Sequence, residues 1–177
     1  HAISHAERYF DEGGFFADLA RRVAIPTESQ NPARQAELER YLAGEIGPSF
    51  ERLGFTFRLF PNPNPKYGPF LVAERNEGPE LVTVFTYGHG DVIRGQDASW
   101  RAGLNPWKLT REGDRLYGRG TAGNKGQHSI NLGAIAAALA DIEKEILKLA
   151  VLNPLKNFLF RTNLTSLNNV GRLFGGL

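Results

Sequence analysis

The sequence predicts an α/β domain, with a mixed sheet flanked by helices on both faces. Three observations predict it. Apolar residues recur at helical spacing through the N-terminal third of the chain. After Gly54 the period changes to the alternation of a strand. The run Leu81-Val82-Thr83-Val84-Phe85 is nearly continuous and β-branched, which reads as a strand covered on both faces of a layered sheet. With 177 residues the chain has the length of about one domain.

In order along the chain, Ile3, Ala6, Phe10, Phe15, Leu19 and Val23 mark an amphipathic helix over 3–23, weakened by Gly13-Gly14. Asn31-Pro32 starts a second helix with a cap residue and a proline at the first helical position. Leu38, Leu42, Ile46, Phe50 and Leu53 form its stripe, and Gly47-Pro48 predicts a kink. Phe55 to Phe60, Phe70 to Arg75 and Leu81 to Tyr87 read as strands, the first two separated by the stiff Pro61-Asn62-Pro63-Asn64-Pro65 loop. Lys108 to Thr110 and Arg115 to Tyr117 flank Arg111-Glu112-Gly113-Asp114 as a hairpin. A glycine-rich stretch, Gly118 to Gly126, leads into a helix from about Gln127, whose apolar face is expected at Ile130, Ala134, Ala137 and Ala138. Beyond Asn153-Pro154, Leu164, Leu167, Val170 and Leu173 suit either a helix packed on its own domain or a contact for a partner chain.

Composition excludes several classes. There is no cysteine, so disulfides, thiolate metal sites and cysteine nucleophiles are out. The 21 basic and 19 acidic residues leave a net charge of +2, too little to argue for nucleic acid. No apolar run approaches the roughly 20 residues a spanning helix needs, so no membrane partner is expected. The N-terminus lacks a charged-then-apolar signal pattern, and the expected location is cytoplasmic.

Two stretches carry chemistry. Tyr87-Gly88-His89-Gly90-Asp91-Val92 follows the third predicted strand, where ligand sites form in open α/β sheets. Neutral imidazole is a good zinc ligand, and a nearby carboxylate accepts the other ring N–H and fixes the tautomer. The plainer alternative is a histidine hydrogen-bonded beside a turn aspartate. Gly118-x-Gly120-x-x-Gly123 has the spacing of a dinucleotide fingerprint. However, the preceding strand belongs to a hairpin, and Asp141 and Glu143 fall on a helix where a ribose would not be held. The phosphate-loop pattern fails as well, since no Ser or Thr follows Lys125. His128, just after this stretch, reads as a helix-surface histidine.

Together these stretches, with Trp100, Asn105-Pro106-Trp107, Glu112-Gly113-Asp114-Arg115-Leu116-Tyr117-Gly118-Arg119-Gly120, Asn124-Lys125-Gly126 and the earlier Ala24-Ile25-Pro26-Thr27-Glu28-Ser29, strongly resemble one family. It is the di-zinc aminoacylase and carboxypeptidase G family, which includes succinyl-diaminopimelate desuccinylase and di- and tripeptidases. The resemblance implies the first part of a zinc-exopeptidase-like catalytic domain over 1–140, with 141–177 a helical Leu/Asn-rich tail of unknown role. It implies His89 as a ligand of one zinc and Asp91 as the catalytic-site carboxylate orienting it. It implies hydrolysis of an amide next to a free carboxylate, in a short peptide or an N-acyl amino acid.

The sequence departs from the family pattern at two places. The aspartate that bridges two zinc ions in Gly-Arg-Gly-x-x-Asp-x-Lys-Gly is here Gly123. The family's downstream paired glutamates, further acidic ligand and distal histidine are not recognisable. A catalytic zinc takes about three protein ligands and a water. The expectation is therefore a family scaffold with a remnant of its site, without hydrolase activity as it stands. The alternative expectation is a non-catalytic homologue that assembles, as a homo-oligomer, through its tail.

Overall fold

The computed structural model describes residues 1–152, and side chains through Ile142. The predicted N-terminal helix is two helices, α1 (Ala2–Asp11) and α2 (Gly14–Val23), split at Gly13, which adopts the left-handed conformation at φ 84°. The Asn31 side chain accepts a hydrogen bond from Ala33 N, and Pro32 opens a 3-10 turn that feeds α3 (Gln35–Tyr41). A π-helical turn, Leu42–Ile46, joins α3 to α4 (Gly47–Glu51). Proline has no N–H for the helical ladder, and the wider turn just before Pro48 absorbs the mismatch that the sequence predicts as a kink.

Strands β1 (Thr56–Phe60) and β2 (Phe70–Glu74) pair antiparallel, with Arg58 opposite Val72. Strands β3 (Thr110–Glu112) and β4 (Arg115–Tyr117) form the hairpin, turning through Gly113 at φ 58°. A parallel bridge joins Glu28 to Val92. The final helix, α5 (Asn124–Leu152), begins three residues earlier than expected and crosses the 140/141 position. No helix among the described residues is long and apolar enough to cross a membrane. The predicted stripe at 164–173 lies outside the described residues.

Two apolar clusters hold these pieces. Ile25, Tyr41, Ile46 and Leu132 form one, backed by Leu42, Phe50, Leu53 and Leu71. Leu19, Val23 and Leu109 form the other, backed by Phe15, Phe16 and Leu116. A polar tie runs beside them. Arg22 of α2 is fully buried, donates to Ser129 Oγ of α5 at 2.7 Å, and faces Glu45 at 3.3 Å.

Two local expectations are corrected. Leu81 to Tyr87 is not a buried strand: it has no ladder partner among the described residues, and Phe85 is 89% exposed. A β-branched run fits a strand, but a strand exists only when neighbours complete its hydrogen bonds. On α5, Ile130 is exposed, while Lys125, Ser129, Leu132 and Ala137 are buried. The inward face is partly polar because it meets Arg22 and the carbonyl of Ile25.

Candidate active site

The loop that carries His89 is fastened to the segment after α2. Val92 N donates to Thr27 O at 2.8 Å, and Thr27 Oγ1 donates to Gly90 O at 2.6 Å. Glu28, buried beneath it, accepts from Gly95 N at 2.6 Å and from the Asn31 amide at 3.0 Å. Burial raises the Glu28 carboxyl, but these donors outweigh it and hold the group below its ordinary pKa. This interlock explains why the Ala24–Ser29 stretch and the His89 loop occur together in the sequence.

On this frame His89 Nδ1 lies 2.8 Å from Asp91 Oδ1, and Ser29 Oγ donates to Asp91 Oδ2 at 2.7 Å. Burial raises the Asp91 carboxyl, yet the hydrogen bonds from Ser29 and His89 prevail and keep it ionised to lower pH than usual. An ionised Asp91 can only accept, so Nδ1 carries the proton and the free lone pair of a neutral ring sits on Nε2. Both side chains remain about half exposed. The amide nitrogen of Asn124, the first residue of α5, lies 2.7 Å from His89 Nδ1 and 3.2 Å from Nε2, and donates to the carbonyl of Asp91.

Beneath the dyad is a second layer of polar groups. Tyr41 Oη and His128 Nδ1 are 2.9 Å apart. His128 is thus not the surface histidine the sequence suggests. Burial, helped by Arg22, pushes its pKa down to about 4. Lys125 is fully buried, donates to Ile25 O, and sits 5.5 Å from the Tyr41 ring centroid and 5.7 Å from that of Trp107. Burial lowers its pKa to about 7. The loop glycines are explained by close packing. A Cβ on Gly90 would fall 2.2 Å from Tyr41 Cε1, and one on Gly88 would fall 2.6 Å from His128 Nε2.

The same holds for the glycine-rich stretch. Gly118 abuts Val23, Gly126 abuts the Thr121 carbonyl, and Gly120 takes φ +87° between Val92 and Lys125. Gly118 and Gly120 thus serve contacts within the chain, which accounts for two of the three fingerprint positions without a phosphate. Gly123 differs: nothing lies within 4 Å of its would-be Cβ. Sequence reasoning brought His89, Asp91 and Gly123 together. It missed Ser29, Tyr41 and the role of Asn124, although Ser29 and Asn124 stand inside stretches it singled out.

The residues do not fit a zinc ion. Among the described residues no three His, Cys, Asp or Glu side chains are grouped as metal ligands. The bridging position, Gly123, has no side chain.

Several known proteins are similar to this chain. Residues 85–152 match Peptidase family M20/M25/M40. An acetylornithine deacetylase of Erwinia tasmaniensis is 28% identical over 134 residues, covering 75% of this chain and 33% of that protein. A Beta-Ala-His dipeptidase of Mus musculus is 46% identical over 125 residues, covering 63% of this chain and 24% of that protein. The chain therefore spans about a third to a quarter of the length of these curated relatives. The crystal structure of human carnosine dipeptidase 1 superposes with a TM-score of 0.69 at 28% identity, covering 78% of this chain and 30% of that one. The dipeptidase Dug1p of Saccharomyces cerevisiae shares the fold, with a TM-score of 0.67 at 21% identity.

Proposed function

On the premise that the chain is related to Peptidase family M20/M25/M40 over the first part of its catalytic domain, we propose that it is a hydrolase scaffold of the amide-cleaving type. The substrate class is a short peptide or N-acyl amino acid with a free carboxylate beside the scissile amide. The names of the dipeptidase and deacetylase relatives support that class. The observation that carries the reading is the His89–Asp91 pair, its ring held at 2.8 Å by a carboxylate that Ser29 also anchors. His89 would serve as a ligand and Asp91 as its orienting partner, for zinc, only within a fuller set of donors. As it stands the chain does not turn over such substrates.

The test is hydrolysis of Beta-Ala-His and N-acetylornithine with zinc present, together with elemental analysis of the chain and of Gly123→Asp. No turnover by the unaltered chain and more zinc in Gly123→Asp are expected. Turnover of either compound removes the claim of inactivity. Equal zinc in the two proteins removes His89 as a ligand.

A role in assembly is the second reading, favoured by the exposed row Val82, Val84, Phe85 and Tyr87. Light scattering is expected to give a mass above the 19.6 kDa of one chain. A version ending near Leu149 tests whether the remaining residues contribute. A monomer mass for the full chain dismisses this reading.

A further inference from the structure

Two rings lie under the loop that carries His89, one against each of the glycines that flank it. His128, in the second turn of α5, faces Gly88, where a Cβ would fall 2.6 Å from His128 Nε2. Tyr41, the last residue of α3, faces Gly90, where a Cβ would fall 2.2 Å from Tyr41 Cε1. The two rings stack at 5.9 Å between centroids and 25° between planes, and Tyr41 Oη lies 2.9 Å from His128 Nδ1. Burial lowers the His128 pKa, and a hydrogen bond between its ring and the backbone of Gly88 opposes that fall. A bond that favours the protonated ring is one the ring donates, so the partner is the Gly88 carbonyl. The ring nitrogen on the Gly88 side, Nε2, therefore carries the proton, and Nδ1 accepts from the Tyr41 hydroxyl. We propose that Tyr41 and His128 are the positioning residues of this site, a directed chain from Tyr41 Oη–H to His128 Nδ1 and from His128 Nε2–H to Gly88 O that fixes the backbone from which His89 reaches Asp91.

Glycine on both sides of His89 leaves the backbone there free to rotate, and close packing on the two rings forbids a stiffer residue. The carbonyls must do the fixing instead. Thr27 Oγ1 holds the Gly90 carbonyl at 2.6 Å, and His128 holds that of Gly88. Both supports are anchored away from the loop. Tyr41 is buried with Ile25, Ile46 and Leu132, and His128 precedes Ser129, which receives the buried Arg22. The inference rests on the reading of the His89–Asp91 pair as the centre of the site, and its test separates the two.

The measurement is the ¹⁵N spectrum of the histidine rings in the full-length chain, at one mildly alkaline pH where free imidazole is neutral. In the unaltered protein His128 is expected as the Nε2–H tautomer and His89 as the Nδ1–H tautomer. An Nδ1–H tautomer at His128 overturns the proposal, because that ring cannot donate to Gly88. Tyr41→Phe removes only the hydroxyl and should cost both rings their single tautomer. An unchanged His89 ring in Tyr41→Phe overturns the proposal. Leu109→Val, a trimmed side chain in the other apolar cluster, should leave both rings as they are. The same change at His89 in Leu109→Val would make the effect one of general loosening and overturns the proposal as well. Zinc content of Gly123→Asp decides the ligand reading of His89 separately. If that variant takes no zinc while the rings respond to Tyr41→Phe, the positioning role stands and the cation-site reading falls. Should Tyr41→Phe not fold, the His128 tautomer of the unaltered chain still decides.

Discussion

Glycines in and around the dyad differ in what they permit. Gly90 lies against Tyr41, so Gly90→Ala drives a Cβ to 2.2 Å from a buried ring. A loss of about 1–3 kcal/mol is expected for such overpacking, read as a lower midpoint in urea. Gly123 is open, and its carbonyl accepts from Gln127 N at 2.8 Å at the start of α5. Aspartate is a preferred residue there and favours the positive end of the helix. Gly123→Asp should therefore keep or raise the melting temperature, and a fall would contradict the placement. Lys125 yields a prediction in pH. Its ammonium is pushed from an ordinary 10.5 to about 7 by burial. Between those values the unfolded chain binds the extra proton, so the folded chain gains stability as pH rises through that window. Below about 7 the cost of burying the charge is fully present. Urea midpoints at pH 7 and 9 should differ less in Lys125→Met than in the unaltered chain. An equal difference would show that Lys125 does not titrate there.

Single elements follow local chemistry where their ends are defined by side chains. Asn31 caps the turn before α3 and also donates to Glu28, which in turn holds Gly95. Asn31→Ala should cost about 1 kcal/mol in a urea titration. A loss below a few tenths would mean that water replaces the cap. The hairpin turn at Gly113 was legible because that position requires a left-handed backbone, whereas Gly13-Gly14 signalled a weak middle of one helix and not the split that Gly13 makes. The Leu81–Tyr87 run was misread because residue type reports only what a strand tolerates, not whether a neighbour lies beside it. His128 and Ile130 exchanged their expected faces for a related reason. The inward side of α5 meets a buried arginine and a carbonyl, so polar residues occupy it and apolar spacing points elsewhere.

Arg22 joins pieces far apart in the chain: α2 to Ser129 of α5, to Ser49 at 3.3 Å, and to Glu45 in the π-helical turn. Removing one partner of a buried ion pair leaves the other charge poorly compensated. Arg22→Ala is expected to lose about 3 kcal/mol, measured as a shift of the unfolding midpoint. Arg21 also contacts Glu45, at 3.3 Å, and Arg21→Ala should cost much less because that side chain is half exposed. Equal losses in the two variants would place the stability elsewhere. The α/β class, the helix caps, the hairpin and the His89–Asp91 motif with its glycine at 123 could all be read from residue order, because each depends on neighbours a few positions away. The Ser29 and Asn124 bonds, the Tyr41–His128 contact and the buried Lys125 could not. They join residues 33 to 100 positions apart, or depend on which face of a helix turns inward. Distances of that kind are set when the layers pack, and no local period encodes them.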